Sequence, residues 1–548
     1  MSDRIETPGR TPLISVVMPT YRPRRRYLRA AIASVSGQRF ASWELCVVDD
    51  GSGDARVLRM LRGAASADPR IRIEALDRNA GISAASNRGV AMSRGRFVAF
   101  LDHDDALAPD ALDAIAGAVE SEPAPDVVYT DQDKLTTRGA RVAPFLKPDW
   151  SPVYALGAMY VGHLLAVRRS LIEEVGGFDS GFDGIQDFEL LLRLSERTDR
   201  IRHLPRVLYH WRAIPGSIAA GVDEKPGVPE LQARAVSEHL RRGAVAVRAI
   251  PHPRIPHRAR LVPEPGTERP AVSVIVTRAD GRHDVDRCLE SVQRTKYPRL
   301  ELIVEEPRHT VSVGVALNRA AARASGDLLV FVAPHAEIVE EGWIEELLVH
   351  ASLPGVGIVG ALLVYPDGRV REAGLALRRW EPPPADGARR PRRRPGATQA
   401  SAWWHGAAPA VPVMRGVAGD TDGYYGSLSC AREVGAVSGA CMAVSRAAFE
   451  AAGGFGEEYR AGYHDVDLSL RVRREGFGVV CTPRPRVVVH DPPPASAPED
   501  IVDRALLVDT WYDELDRGDP YLNRGLTPGM TPAAEPRPGL LRRLADRV

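Results

Sequence analysis

The sequence of 548 residues predicts an α/β fold: two tandem domains with Rossmann-like, mostly parallel sheets. Three observations carry this. Strand-like and helix-like segments alternate from residue 14 onward, which implies a parallel sheet with helices on both faces. Motifs of the first half return in the same order in the second. A proline-dense stretch, 251–265, stands between the halves and reads as a linker, because proline at that density forbids a packed helix.

The elements follow in order. Residues 14–18 are apolar and predict a first strand. Residues 26–36 carry apolar residues at helical spacing. Residues 43–48 predict a second strand, which runs into Asp49-Asp50-Gly51-Ser52. Residues 96–101 are nearly all apolar, as expected of a strand buried on both faces. Residues 109–120 predict a helix, with Asp105 suited to cap its start. His210 closes a strand in Val207-Leu208-Tyr209-His210.

The repeat is weak but ordered. Val17-Met18-Pro19-Thr20 has a counterpart in Ile275-Val276-Thr277, and Glu44-Leu45 in Glu301-Leu302, at an offset of 257. Asn87-Arg88 and Gly95 match Asn318-Arg319 and Gly326 at an offset of 231. Ala166-Val167 and Gly176-Gly177-Phe178 match Ala443-Val444 and Gly453-Gly454-Phe455 at 277. The expected division is a catalytic domain in 1–250, a linker in 251–268, a second domain in 269–527 and a tail in 528–548.

Composition excludes several classes. A formal net charge of +1 gives no global field toward nucleic acid. Four lysines (Lys134, Lys147, Lys225, Lys296) stand among 72 basic residues, the rest arginine. Five scattered cysteines, Cys46, Cys288, Cys430, Cys441 and Cys481, show no C-x-x-C spacing and suit a reducing cytoplasm. No apolar run reaches the ~18–20 residues that span a bilayer. The first residues have no apolar core for a signal peptide. A soluble cytoplasmic protein is expected, with peripheral contact to the inner face of the cell membrane as an option. The segment 382–398, with an arginine run at 389–394, reads as a solvated insertion or as a clamp for anionic lipid or phosphate.

Polar clusters stand at three strand ends: Pro19-Thr20-Tyr21, Asp49-Asp50-Gly51-Ser52 and Asp102-His103-Asp104. Ligands of open α/β sheets bind beyond the carboxyl ends of strands. Asp102 and Asp104, two residues apart on an extended segment, point the same way. Crowded carboxylates repel one another. A divalent cation, magnesium or manganese by the oxygen donors, relieves the repulsion and holds a diphosphate. At Asp49 and Asp50 a carboxylate accepts a hydrogen bond from a pyrimidine imide or a ribose hydroxyl, or forms a turn. The pattern does not say which of the two is the ligand.

The ordered motifs Pro19-Thr20-Tyr21, Asp49-Asp50-Gly51-Ser52, 78–89, Phe100-Leu101-Asp102-His103-Asp104-Asp105 and Gly176-Gly177-Phe178 with Gln186-Asp187-Phe188 resemble the family 2 inverting glycosyltransferases. Segments 129–134, 145–152 and 206–212, then 365–374, 437–442 and 465–471, resemble a tandem-domain bacterial subgroup that builds O-antigen and other surface polysaccharides. The resemblance implies two type A glycosyltransferase domains and a nucleotide-diphosphate sugar donor. It implies a glycan or lipid-linked glycan acceptor and a manganese or magnesium ion. Carried onto this sequence, it makes Asp187 the base that takes the acceptor proton. Asp102 and Asp104 hold the metal and touch the donor. His210 is a third metal or diphosphate ligand, or a structural histidine. Thr20, Arg78, Asn79, Gly81 and Asn87 line the nucleotide site, with local packing the alternative for Gly81 and Asn87. Asp131, Trp150 and Trp211 face the acceptor, with Asp133 beside them; core positions and solvated loops are the alternatives.

The second domain departs from this pattern. Asp49-Asp50 align with Glu306-Pro307, Asp102 with Ala333 and Asp104 with His335. Alanine chelates nothing. The expected function is therefore one metal-dependent hexosyl transfer, with a degenerate second domain. The alternatives are a non-catalytic glycan- or nucleotide-binding scaffold, and nucleotidyl transfer on the same fold.

Overall fold

A computed structural model describes residues 11–213, 227–278, 285–306, 311–378, 408–460, 462–490 and 498–531. The arginine run at 389–394 and residues 532–548 lie outside them. The chain divides into two compact units. One is Met1–Glu268 with Ser352–Pro354 and Ser429–Arg432; the other is Arg269–Ala351, Gly355–Leu428 and Glu433–Val548.

The first unit runs β1 (Ile14–Thr20), α1 (Arg25–Ser36), β2 (Trp43–Asp49), α2 (Ala55–Ala67), β3 (Ile71–Ala75), α3 (Ile82–Met92), β4 (Phe97–Phe100), β5 (Ala106–Leu107) and α4 (Ala111–Val119). It continues with β6 (Val127–Leu135), β7 (Arg141–Phe145), α5 (Pro152–Gly157), β8 (Leu165–Arg168), α6 (Arg169–Glu174), α7 (Gln186–Ser195), β9 (Ile201–Arg212), α8 (Val228–Arg242), β10 (Val247–Pro251) and β11 (Ala259–Pro263).

The sheet order is β3-β2-β1-β4-β8-β6-β9-β5, with β7 on β6. The alternation read from sequence produces the parallel part, β3 to β4. Beyond it the sheet is mixed, because β8 is antiparallel to both β4 and β6. Strand β9 is again parallel to β6. The carboxyl ends of β1, β2, β4, β6 and β9 therefore share one edge, and β8 begins there. Helix α1 presents Tyr27, Leu28, Ala31, Ile32 and Val35 to the core. Apolar residues of β1, β2, β4, α2 and α4 complete that layer; each large side chain so buried contributes roughly 1.5–3 kcal/mol.

Three expectations change. Helix α4 begins at Ala111, not at 109. Asp105 does not cap it: its carboxylate accepts from Tyr209 Oη at 2.5 Å and Arg212 N at 2.6 Å. The proline-rich stretch 251–268 is not an open linker. Strands β10 and β11 pair antiparallel from Val247↔Pro263 to Pro251↔Ala259. Pro251 and Pro263 stand at strand ends of a two-stranded sheet, where a missing N–H is tolerated.

The second unit repeats the strand order. Leu300–Glu305, Val272–Thr277, Leu328–Val332, Cys441–Ser445, Val356–Val364, Gly478–Val489 and Ala336–Ile338 follow one another across its sheet. One hydrogen-bond device recurs. Ser15 Oγ donates to Glu44 at 2.7 Å and accepts from Gly95 N at 2.8 Å. Ser273 Oγ donates to Glu301 at 2.5 Å and accepts from Gly326 N at 2.9 Å. Ser273 lies 258 residues after Ser15, one more than the 257 read from the motifs. The register thus puts Arg278, not Thr277, in the place of Thr20. It keeps Glu306 at Asp49 and Ala333 at Asp102.

Candidate active site

Strands β1 and β2 end side by side, with Thr20 opposite Asp49. Thr20 is 2% exposed and Asp49 1%. Thr20 Oγ1 and Asp49 Oδ1 are buried without a hydrogen-bond partner among the described residues. An orphaned buried oxygen costs about 1–3 kcal/mol and calls for an explanation. Asp50 is different. Its carboxylate accepts from Asn79 Nδ2 and Ala80 N, both at 2.7 Å, and from Gly81 N at 3.1 Å. Asp50 therefore folds the loop after β3, and Asp49 keeps a free oxygen for a ligand. Gly51, the next residue, lets this turn approach that loop closely. Its φ is +63°, and a Cβ there would lie 2.3 Å from the Arg78 carbonyl carbon. Arg78 itself is exposed.

Gly81 precedes α3, whose first turn is served by Asp183: Ser83 Oγ donates to its carboxylate at 2.5 Å. Asn87, expected to line the nucleotide site, is engaged elsewhere. Its Nδ2 donates to Phe178 O at 2.8 Å and its Oδ1 accepts from Phe178 N at 2.8 Å. Asn318 makes the same two bonds with Phe455, at 3.0 and 2.9 Å. A clamp that persists in the unit without the acids belongs to the fold. Asn87→Ala leaves both Phe178 groups without that partner. It is expected to destabilise the first unit by about 1–3 kcal/mol, read by chemical denaturation; a change near zero would reject the clamp.

Asp102 follows β4 with its side chain 39% exposed, 3.7 Å from His163 Nε2. Asp104 is half-buried. Burial pushes its carboxyl up, His103 opposes the shift and Asp102 adds to it. Neither makes an arginine ion pair among the described residues. Asp187 sits in the first turn of α7, its Oδ1 accepting from Phe188 N at 2.9 Å. Burial raises its pKa; His163 pulls the other way and Asp102 pushes with burial. Asp102, His163 and Asp187 thus feel one another. The second unit keeps the last member: Val466 N donates to Asp465 Oδ1 at 2.8 Å.

His210 stands opposite Ala106, two residues after Asp104. Its Nδ1 is 2.6 Å from Asp133 Oδ1, and Asp133 also pairs with Arg141. Among the described residues no group of three or more His, Cys, Asp or Glu is arranged to hold a metal. Asp131, expected on the acceptor side, is buried. It accepts from Lys147 N at 2.8 Å and contacts His203 Nε2 at 2.9 Å. Burial disfavours charge on His203, but Asp131 and Asp149 outweigh it and raise its pKa. Asp133 is likewise buried and engaged. Trp150 stacks on Tyr160 at 6.3 Å. Trp211 packs on the core and meets His163 edge-on at 6.1 Å.

Two residues escaped the sequence reading. His163 lies in the turn before β8 and stacks on Tyr209 at 4.8 Å. Lys147 is fully buried; burial pulls its pKa down to about 7 and Asp131 pulls it back up. Its signal was present as a lysine in a chain that otherwise uses arginine.

Residues 15–176 match the model described as Glycosyl transferase family 2. It is 36% identical to the O-antigen biosynthesis protein RfbC of Myxococcus xanthus over 558 residues, covering 95% of this chain and 40% of that protein. It is 35% identical to y4gI of Sinorhizobium fredii over 511 residues, covering 88% of this chain and 53% of that protein. The chain spans about half or less of the length of these curated relatives. Among solved structures, S. aureus TarS 1–349 in complex with UDP-GlcNAc aligns with a TM-score of 0.36 at 20% identity, over 41% of this chain and 66% of that one.

Proposed function

We propose that this family 2 glycosyl transferase domain moves a hexose from a nucleotide-diphosphate sugar to a hydroxyl of a growing surface glycan, with inversion. The observation that carries the reading is the pair of unpartnered buried oxygens, Thr20 Oγ1 and Asp49 Oδ1, on the sheet edge that also bears Asp102 and Asp104. A base or ribose is the partner such atoms lack. The relative named for O-antigen biosynthesis suggests the product class.

Two carboxylates that form no arginine ion pair among the described residues fit a hard divalent cation, manganese or magnesium, as two of its oxygen ligands. Such an ion, when bound, neutralises charge on a departing diphosphate. The remaining work belongs to the chain. Thr20 and Asp49 orient the nucleoside. Asp187 accepts the proton of the attacking hydroxyl, and its raised pKa brings it nearer the pH at which a base is most effective. The attack is a single displacement with no covalent enzyme intermediate. The second unit has Arg278, Ala333 and His335 where the first has Thr20, Asp102 and Asp104. We assign it no donor chemistry, and a glycan-holding or scaffolding role instead. Among the described residues no helix is long and apolar enough to cross a membrane; a lipid-linked acceptor would be reached from the surface.

The test is a screen of nucleotide sugars with manganese, reading thermal stabilisation and nucleotide release. A true donor at about 100 times its dissociation constant stabilises by about 2.7 kcal/mol. Silence toward every donor, with stabilisation by oligosaccharide alone, would establish the scaffold reading instead.

A further inference from the structure

We propose that Lys147 is a positioning residue: its buried ammonium staples the turn Val161-Gly162-His163 to β6 and so sets the His163 ring beside Asp102. The proposal rests on the transferase reading above.

The geometry is a four-oxygen cage. Lys147 Nζ donates to Thr130 O at 2.6 Å and Gln132 Oε1 at 3.1 Å, both on β6. It also donates to Val161 O at 2.5 Å and His163 O at 2.6 Å, both on the turn before β8. Four acceptors around one nitrogen suit an ammonium, one of whose three N–H groups is shared between two oxygens, and not a neutral amine, whose lone pair would face an oxygen. An arginine would not fit them either, because its donors lie in a planar fork. Gln132 Oε1 binds the turn a second time, accepting from His163 N at 3.0 Å. Gly162 is held there at φ +47°, and a Cβ on it would come 2.8 Å from Gln132 Oε1. Asp131 lends its field to the lysine while its own oxygen serves Lys147 N and His203.

The staple serves the site and not the fold. The repeat offset of 277 places Gly439 at Gly162 and Ala440 at His163. Gly439 N there donates directly to Asp465 Oδ2 at 2.8 Å. The second unit contains a single lysine, Lys296, on the surface. It keeps the strand order while lacking the histidine, the buried lysine and the paired acids together. A buried ammonium is costly to desolvate, and the fold is built without one.

The experiment uses the full chain with carbon-13-labelled histidine. His163→Ala assigns the ring signal, which the Tyr209 stack should displace upfield in the wild type. Lys147→Met is expected to move that signal toward its free position. It should lower kcat at least a hundredfold with donor KM nearly unchanged. Gln132→Met, a milder change in the same cage, should shift both readouts in the same direction and serves if Lys147→Met does not fold. A His163 signal that stays in place in a folded variant overturns the staple. If the wild type turns over no donor, the transferase reading fails, and the ring signal alone still decides the staple.

Discussion

Asp187→Asn is expected to lower turnover by about 10²–10⁴-fold, the range a positioned general base supplies, with donor affinity nearly unchanged. Asparagine keeps the side-chain shape and the oxygen that accepts from Phe188 N. It cannot take a proton. The pH profile adds a second reading. Burial raises the Asp187 pKa, with His163 opposing and Asp102 adding. The basic form is therefore populated only above a pKa higher than the ordinary ~3.9, and kcat should climb with pH through that elevated value. The stability effect has the opposite sign. A carboxyl whose folded pKa is raised favours the fold while protonated, and this contribution fades as pH rises through the folded pKa. The asparagine variant should thus be at least as stable as the wild type at neutral pH. Retained turnover in Asp187→Asn, measured by product formation, would move the base to another residue.

Asp102→Ala should weaken manganese-dependent donor binding about a hundredfold or more, about 2.8 kcal/mol at 1.4 per tenfold. The carboxylate is part-exposed and near His163, so its loss leaves no buried group stranded and the fold should survive. Asp102 is also one of the charges that raise the Asp104 pKa, which should fall in the variant. Titration of nucleoside diphosphate, with and without manganese, reads the effect. Binding that is unaltered, or equally weak with and without the metal, would remove these acids from the donor site.

Much of this was legible in the residues. Alternating strands and helices have a local period, and acids at strand ends are visible without knowing the sheet order. The tandem repeat needed only matched spacing. What stayed hidden were the partners of each side chain. Asn87 looked like a ligand and is a clamp; its mate Phe178 lies 91 residues away. His210 read as a third metal or diphosphate ligand or as a structural histidine, and its Nδ1 meets Asp133, 77 residues earlier in the chain. Asp131 and Asp133 looked like acceptor-side or solvated-loop residues, yet β6 lies inside the sheet between β8 and β9 and both are buried. The prolines of 251–265 suggested a linker, yet two of them, Pro251 and Pro263, end paired strands.

By itself the amino-acid order determined the elements, the duplication and the placing of carboxylates at strand ends, since each follows from spacing along a few neighbouring residues. Only the tertiary structure decided which oxygen is left over where β1 and β2 end, and that His163 lies beside Asp102 with Lys147 holding its turn. The first outcome depends on the loop after β3 closing on Asp50, and the second on β8 running backwards between β4 and β6, neighbours that no local pattern of residues encodes.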